Sequence, residues 1–246
     1  MSAYSIYPAS ENALTVCLGD RMDAAVNARV FRLFQYLQRY PNPFWKDVIP
    51  AYCTITVVYD VGFIRKHYPS AFSWVKTEME RVLEACEVNQ AALPTRKLLI
   101  PVCYDFAFGF DLKSFTKTKN LSVDQVIDLH IQQTYHVYML GFLPGFAYMG
   151  IVDDQLALPR LATPRKLVPA GSVGIAGNQT GIYPVDSPGG WNIIGRTPVQ
   201  LFNHGSNTDH QSTFVLFQPG DEVNFYAISR QAFDSFDVQN FNPFSS

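Results

Sequence analysis

The sequence predicts an α+β fold built in two parts, and two observations carry that prediction. Up to Pro94, stretches with strand-like alternation take turns with stretches of helical periodicity. From Tyr135 to Ile228 the pattern changes to short alternating runs broken by Pro and Gly every few residues. The first pattern suits a small sheet with two helices on one face, and the second an all-β sandwich or barrel. A chain of 246 residues accommodates both, since single domains typically run to about 100–150 residues.

The elements follow in order. Leu14, Val16 and Leu18 alternate as a half-buried strand. Val26, Val30, Leu33 and Leu37 recur at helical spacing, with Asp20 and Asp23 as candidate N-caps and Pro41 and Pro43 as the stop. Ile55, Val57 and Tyr59 form a second strand. A helix follows Pro69, capped by Ser70, with Phe72, Val75, Met79, Val82 and Cys86 as its apolar stripe. Pro94 and Thr95 mark a boundary, and Leu98 to Tyr104 is the strand that opens the second part. Ser122 and Gln125 make a capping box for a helix that buries Val123, Val126, Ile127 and Ile131. The resulting division is an N-terminal domain over 1–95, a β-rich domain over 96–236 and a loosely ordered tail over 237–246.

Composition narrows the function classes. Hydrophobic residues make up 48% of the chain and charged residues only 16%, with 13 Tyr and 19 Phe, which points to a pocket or a partner face. A net charge of −2 gives no electrostatic reason to expect nucleic acid. Cys17, Cys53, Cys86 and Cys103 show no metal-site spacing and read as reduced core residues; no metal site is expected. No apolar run reaches the roughly 20 residues of a membrane span, and residues 1–13 lack the features of a signal peptide. A cytoplasmic location is the expectation.

Four segments carry candidate chemistry. In Gly141-Phe142-Leu143-Pro144-Gly145-Phe146-Ala147-Tyr148, glycines and a proline shape a rigid turn that presents aromatic rings, either as a pocket wall or as a plug for the barrel. Pro159-Arg160 and Pro164-Arg165 place two guanidinium groups on stiff backbone, suited to a carboxylate or phosphate, or equally to a solvated basic loop. The glycine-rich run from Pro169 to Gly181 is neither a Walker loop nor a dinucleotide fingerprint. Its Ser172 sits in no nucleophile elbow; Ser172, Asn178, Gln179 and Thr180 are candidates for orienting an amide or carboxylate, although a strand pair with a glycine bulge explains the run as well. In the segment from Tyr183 to Thr197, Trp191 follows a Pro-Gly-Gly turn and Arg196 is a third anion candidate; a turn with a core Trp is the alternative. Of His67, His130, His136, His204 and His210, only His130 lies close to the buried stripe of a capped helix, as a proton-transfer group or a satisfied core histidine.

Taken in order, these segments resemble one family. The stretch from His130 through Tyr138, the Gly-Phe-Leu-Pro-Gly-Phe-Ala-Tyr run, the two Pro-Arg pairs, the Pro-Ala-Gly-Ser-Val-Gly-Ile-Ala-Gly run, Gly181 to Pro184, and Pro188 to Trp191 with Gly195 to Pro198 are similar to the family of 5-oxoprolinase B-type subunits. That family is also called allophanate hydrolase subunit 1 and includes the KipI-type kinase inhibitors. Asp47 to Tyr52, Tyr59-Asp60 and Pro219-Gly220-Asp221 extend the likeness over most of residues 11–230. One segment departs from it: where the family reads Gly-Gly-Glu-Phe-Gly-Pro-Asp-Leu, this chain has Asp105 to Leu112, with Ala107 at the position of the acid. If that segment is extended, Asp105 shares a face with position 107 and partly substitutes for it.

The resemblance implies a small α/β sandwich domain followed by a cyclophilin-like β-barrel. It implies ATP-dependent opening of 5-oxoproline to glutamate together with a sister C-type barrel subunit and an A-type subunit, the nucleotide being held by this chain or by a partner. It also admits a KipI-like inhibitor that binds a sensor histidine kinase, and a subunit of a urea or allophanate carboxyltransferase-type enzyme. Arg160, Arg165 and Arg196 are then the candidates for carboxylate or phosphate contacts. Phe142, Phe146, Tyr148 and Trp191 would shape the pocket, Gln179 and Tyr183 would orient the amide, and His130 would transfer a proton.

Overall fold

The computed structural model describes residues 4–88, 95–203 and 214–244. The chain forms two compact units, Met1–Pro94 and Thr95–Ser246. His204 and His210 lie outside the described residues.

The first unit contains β1 (Ser5–Ser10), β2 (Ala13–Cys17), α1 (Ala24–Arg39), β3 (Trp45–Pro50), β4 (Thr54–Tyr59), α2 (Val61–Ile64) and α3 (Ala71–Val88). Its sheet has the order β1-β2-β4-β3, with every neighbouring pair antiparallel. Leu14, Val16, Ile55 and Val57 leave the sheet on one face and pack with Val30, Leu33 and Leu37 of α1 and Val75 and Met79 of α3. Asp23 caps α1 by accepting from Val26 N at 3.0 Å, and Ser70 Oγ accepts from Ser73 N at 3.2 Å. The periodicity reading therefore finds both long helices. It finds two of the four strands, because β1 and β3 are edge strands that leave most of their residues on the surface. Of the cysteines, Cys86 and Cys103 are buried, whereas Cys17 and Cys53 are half-exposed rather than core residues.

The second unit contains β5 (Lys97–Val102), α4 (Leu112–Lys119), α5 (Val123–Ile131), β6 (Thr134–Leu140), β7 (Ala147–Gly150), β8 (Arg165–Val168), β9 (Ser172–Ala176), β10 (Gln179–Ile182), β11 (Ser187–Gly189), β12 (Asn192–Arg196), β13 (Phe202–Asn203), β14 (Phe214–Val215), β15 (Glu222–Ala227) and α6 (Arg230–Asp234). Seven strands form one curled sheet in the order β12-β9-β10-β7-β6-β15-β5. Its two edges meet where Cys103 N donates to Arg196 O at 2.8 Å and Arg196 N to Cys103 O at 3.0 Å, so the sheet closes into a barrel. The interior is apolar, with Ile100, Val102, Val137, Met149, Val173, Ile175, Ile182 and Phe225 among its side chains. The β5–β15 pair is parallel. Its start is held by Arg96, whose Nε and Nη2 donate to the buried carboxylate of Asp221 at 2.7 and 2.5 Å.

The capping box at Ser122 and Gln125 is formed in both directions. Val126 and His130 are the residues of α5 that are fully buried. Residues 237–244 do not trail away from the barrel. Leu99 N donates to Pro243 O at 2.8 Å, and Phe241 packs against the core, which gives this segment the apolar anchors that a free tail lacks.

Candidate functional site

A pocket of about 270 Å³ opens on the second unit, walled by Phe142, Tyr148, Arg160, Tyr183 and Trp191 and rimmed by Pro164 and the Pro188-Gly189-Gly190 turn. The turn before β7 builds one wall. Phe142 adopts φ 68° and Gly145 φ 83°, and Phe146 N donates to Leu143 O at 3.0 Å. The chain thus reverses within a few residues, and left-handed geometry at a bulky residue is uncommon. The two readings of this turn are divided between its rings. Phe146 is buried and plugs a small core with Val168, Tyr183 and Ile193, whereas Phe142 and Tyr148 face the pocket. Phe146 meets Phe142, Tyr148, Tyr183 and Trp191 edge-on, with centroids 4.9–5.6 Å apart, and thereby sets the spacing of the pocket's rings.

Glycines make the opposite wall possible. A Cβ on Gly189 would collide with the Tyr183 hydroxyl, and one on Gly181 would sit 3.2 Å from the Trp191 ring. The Trp191 backbone favours the ionised form of the Tyr183 phenol, but burial outweighs it. Burial raises the pKa of Tyr183, and that of Tyr148 for the same reason, so both phenols stay protonated at neutral pH.

The three arginines do not converge. Arg160 lines the pocket, and among the described residues no carboxylate lies within ion-pair distance of it. Arg165 is ion-paired to Asp111 through Nη2, and its Nη1 donates to Trp191 O at 3.4 Å. Its guanidinium also lies 5.9 Å from the centre of the Phe110 ring. Arg196 donates from Nε to Ala170 O at 2.8 Å and lines a different groove, beside Phe202 and Phe233. The charge of Arg165 is met by Asp111 and Arg196 lines another groove, so among the described residues Arg160 is the pocket cation without a carboxylate partner.

Two further candidates stand away from the pocket. Gln179 begins β10, opposite Ala176 and Gly150, and is not among the lining residues. His130 is completely buried in the barrel, with Tyr104 Oη 2.7 Å from Nδ1 and Thr180 Oγ1 3.0 Å from Nε2. Because the Thr180 hydroxyl donates to Gly174 O at 3.1 Å, it accepts from Nε2–H, and Nδ1 accepts from Tyr104. Burial lowers the pKa of His130 to about 3, so the ring is neutral.

The 105–110 loop is a turn, not an extended segment. Asp105 Oδ1 accepts from Ala107 N at 2.7 Å, and Asp105 O accepts from Phe108 N and Gly109 N at 2.9 and 2.8 Å. Its carboxylate therefore closes its own loop and does not stand in for an acid at Ala107. The acid that does reach the pocket's surroundings is Asp111, which holds Arg165 with one oxygen and accepts from Ile193 N at 2.7 Å with the other. Asn192 was also not singled out by the sequence, and its buried amide donates to Pro159 O and Ile175 O at 3.0 and 3.1 Å. Their signal was the apolar company they keep, Asp111 beside Leu112 and Asn192 beside Ile193 and Ile194, since a polar residue at a core position needs a partner. Among the described residues no group of three His, Cys, Asp or Glu side chains could hold a metal ion, and no helix is long and apolar enough to cross a membrane.

A helix-backed antiparallel sheet followed by a curled β-sheet is a fold shared with solved carboxyltransferase-domain structures. The chain belongs to the family described as carboxyltransferase domain, subdomain C and D, whose model matches residues 4–213. It is similar to the B subunit of 5-oxoprolinase from Bacillus subtilis (strain 168), 39% identical over 241 residues that span 95% of this chain and 96% of that protein. The B subunit of 5-oxoprolinase from Escherichia coli O157:H7 is 39% identical over 220 residues, 89% of this chain and 94% of its own length. Among solved structures, the protein TTHA0988 superposes with a TM-score of 0.74 at 34% identity, over 88% of this chain and 40% of that longer one.

Proposed function

We propose that this chain is a subunit of an ATP-dependent 5-oxoprolinase and that its barrel pocket receives 5-oxoproline. The observation that carries the proposal is Arg160, a guanidinium without a carboxylate partner among the described residues, set among the rings of Tyr148, Tyr183 and Trp191. A small ring that carries one carboxylate matches such a pocket: the carboxylate meets Arg160 and the ring lies against the aromatic faces. Relatives named as B subunits of 5-oxoprolinase, similar over almost their whole length, support the substrate.

In this reading the Tyr183 hydroxyl, kept protonated by burial and lining the pocket, donates its proton to the lactam oxygen. A donor fixed where oxyanion charge develops favours the transition state over the ground state. Arg165 and Asp111 brace the Trp191 wall, and neutral His130 braces the barrel beneath it and transfers no proton. ATP would activate the lactam carbonyl for attack by water, the lactam oxygen leaving with the terminal phosphoryl group as phosphate while the ring C–N bond opens and its nitrogen takes up a proton; the nucleotide site and the remaining machinery belong to the assembly with C-type and A-type partner subunits in the cytoplasm.

Among the described residues no contact favours docking to a histidine kinase over this reading. The test is co-expression with C-type and A-type subunits, followed by an assay of ATP hydrolysis that depends on 5-oxoproline. Turnover by the full set is expected, and a properly assembled set that gives none rules the reading out.

A further inference from the structure

We infer that Asn192 is a positioning residue that, together with the Gly190 carbonyl on the other flank, locks the backbone beside Arg160 to the Trp191 wall of the pocket. The functional meaning of the lock rests on Arg160 being the ligand for the carboxylate; the lock itself rests on geometry alone. Arg160 lies on an irregular segment between β7 and β8, so no ladder of its own fixes it. Its place is set by bonds on both flanks. Pro159 O accepts from Asn192 Nδ2 at 3.0 Å, and Leu161 N donates to Gly190 O at 2.7 Å. The second proton of the same amide goes to Ile175 O on β9, at 3.1 Å. One buried side chain therefore joins the loop to the barrel wall, with both of its N–H donors in use.

Gly190 completes the lock. A Cβ there would lie 3.5 Å from both Nε and Nη2 of Arg160, so the guanidinium rests directly against this turn. Cation and aromatic wall are thereby carried by the same few residues, 190–192, and keep their spacing when the pocket is empty. Preorganisation of this kind lowers the ordering cost of binding.

The experiment uses the full chain and the variant Asn192→Asp, which keeps the shape and turns two donors into an acceptor facing two carbonyl oxygens. Native-state trypsin cleavage of the Arg160–Leu161 bond reports release of the loop, with cleavage after Arg39 in the other unit as an internal reference. The variant is expected to be cut at Arg160 about ten- to a hundredfold faster than wild type, the size of two lost hydrogen bonds. Val137→Ala, a cavity in the barrel core on β6, which pairs with neither β9 nor β12, controls for general loosening. If Asn192→Asp does not fold, Asn192→Ser carries the same comparison, with a single donor of shorter reach.

Binding of 5-oxoproline, followed by calorimetry, is expected to weaken in the Asn192 variant in proportion to the release of the loop. Cleavage at Arg160 no faster in the variant than in Val137→Ala overturns the lock. A wild-type chain that shows no affinity for 5-oxoproline would instead count against the functional reading, and the protease result would still decide the role of Asn192.

Discussion

Replacing Arg165 and Arg160 separately should give opposite results, although the two residues look alike in the sequence. Arg165→Ala strips the buried carboxylate of Asp111 of its cation. The Asp111 side chain is only 9% exposed and that of Arg165 27%, and Ile193 N–H is the donor that remains to the carboxylate. Removing one partner of a fully buried pair costs about 3–5 kcal/mol. The guanidinium here is partly solvated, so a cost of about 2–3 kcal/mol is the better expectation. For a domain of this size that lowers the melting midpoint by about 4–12 °C. Arg160→Ala, at an exposed position with no carboxylate partner among the described residues, should change stability by no more than about 0.5 kcal/mol. It should nevertheless cost the pocket about 1.5–3 kcal/mol of affinity for a carboxylate, about ten- to 150-fold. Scanning calorimetry of the full chain, paired with a titration of 5-oxoproline, measures both quantities. An Arg165→Ala chain that melts with the wild type, or an Arg160→Ala chain destabilised as much as Arg165→Ala, would overturn these assignments.

Two further outcomes follow from single contacts. Gly189→Ala drives a methyl group into the Tyr183 hydroxyl, so the phenol must move; a loss of about 1–3 kcal/mol in urea-unfolding stability is expected, together with weakened 5-oxoproline binding, and normal binding would show that Tyr183 is not needed where it stands. Burial moves the pKa of His130 from 6.5 to about 3. Between those values the unfolded chain holds a proton that the folded chain does not. This contribution to stability is therefore complete above pH 6.5 and is lost as pH falls, by up to about 1.4 kcal/mol per pH unit. His130→Gln should flatten that acid limb in urea midpoints measured from pH 7 to pH 4, and an unchanged slope would contradict the buried neutral ring.

What the sequence makes legible is what local physics encodes. The helices at Ala24–Arg39 and Val123–Ile131 announce themselves through an apolar stripe and a capping side chain at Asp23 or Ser122. Gly189 and Gly181 sit where rings approach the backbone, so the glycine-rich runs mark the pocket before its shape is known. Edge strand β1 leaves no such mark, since almost all of its residues are exposed and no alternation remains. Helix α4 is similarly muted, because Leu112 and Phe115 are its only buried residues.

The fates of the arginines are the least legible. Arg165 finds Asp111 across 54 residues of sequence, and Arg196 finds a carbonyl 26 residues away. Spacing along the chain carries no trace of either contact, so three residues of equal promise divide into one in the pocket without a carboxylate partner among the described residues, one paired with Asp111 and one in a different groove. His130 shows the same limit. Its place beside the buried stripe is readable, but its depth depends on Tyr104 and Thr180, which reach it from other parts of the barrel.

The central claim is that Arg160 and the rings around it form a site for a small cyclic amide that bears a carboxylate. Its most direct test is the fluorescence of Trp191 in a chain carrying Trp45→Phe and Trp74→Phe, titrated with 5-oxoproline and separately with 2-pyrrolidinone, the same ring without the carboxylate. A saturable change with 5-oxoproline is expected, with little or none for 2-pyrrolidinone and loss of the response in Arg160→Ala. Equal responses to the two compounds, or a response to 5-oxoproline that survives Arg160→Ala, would contradict it.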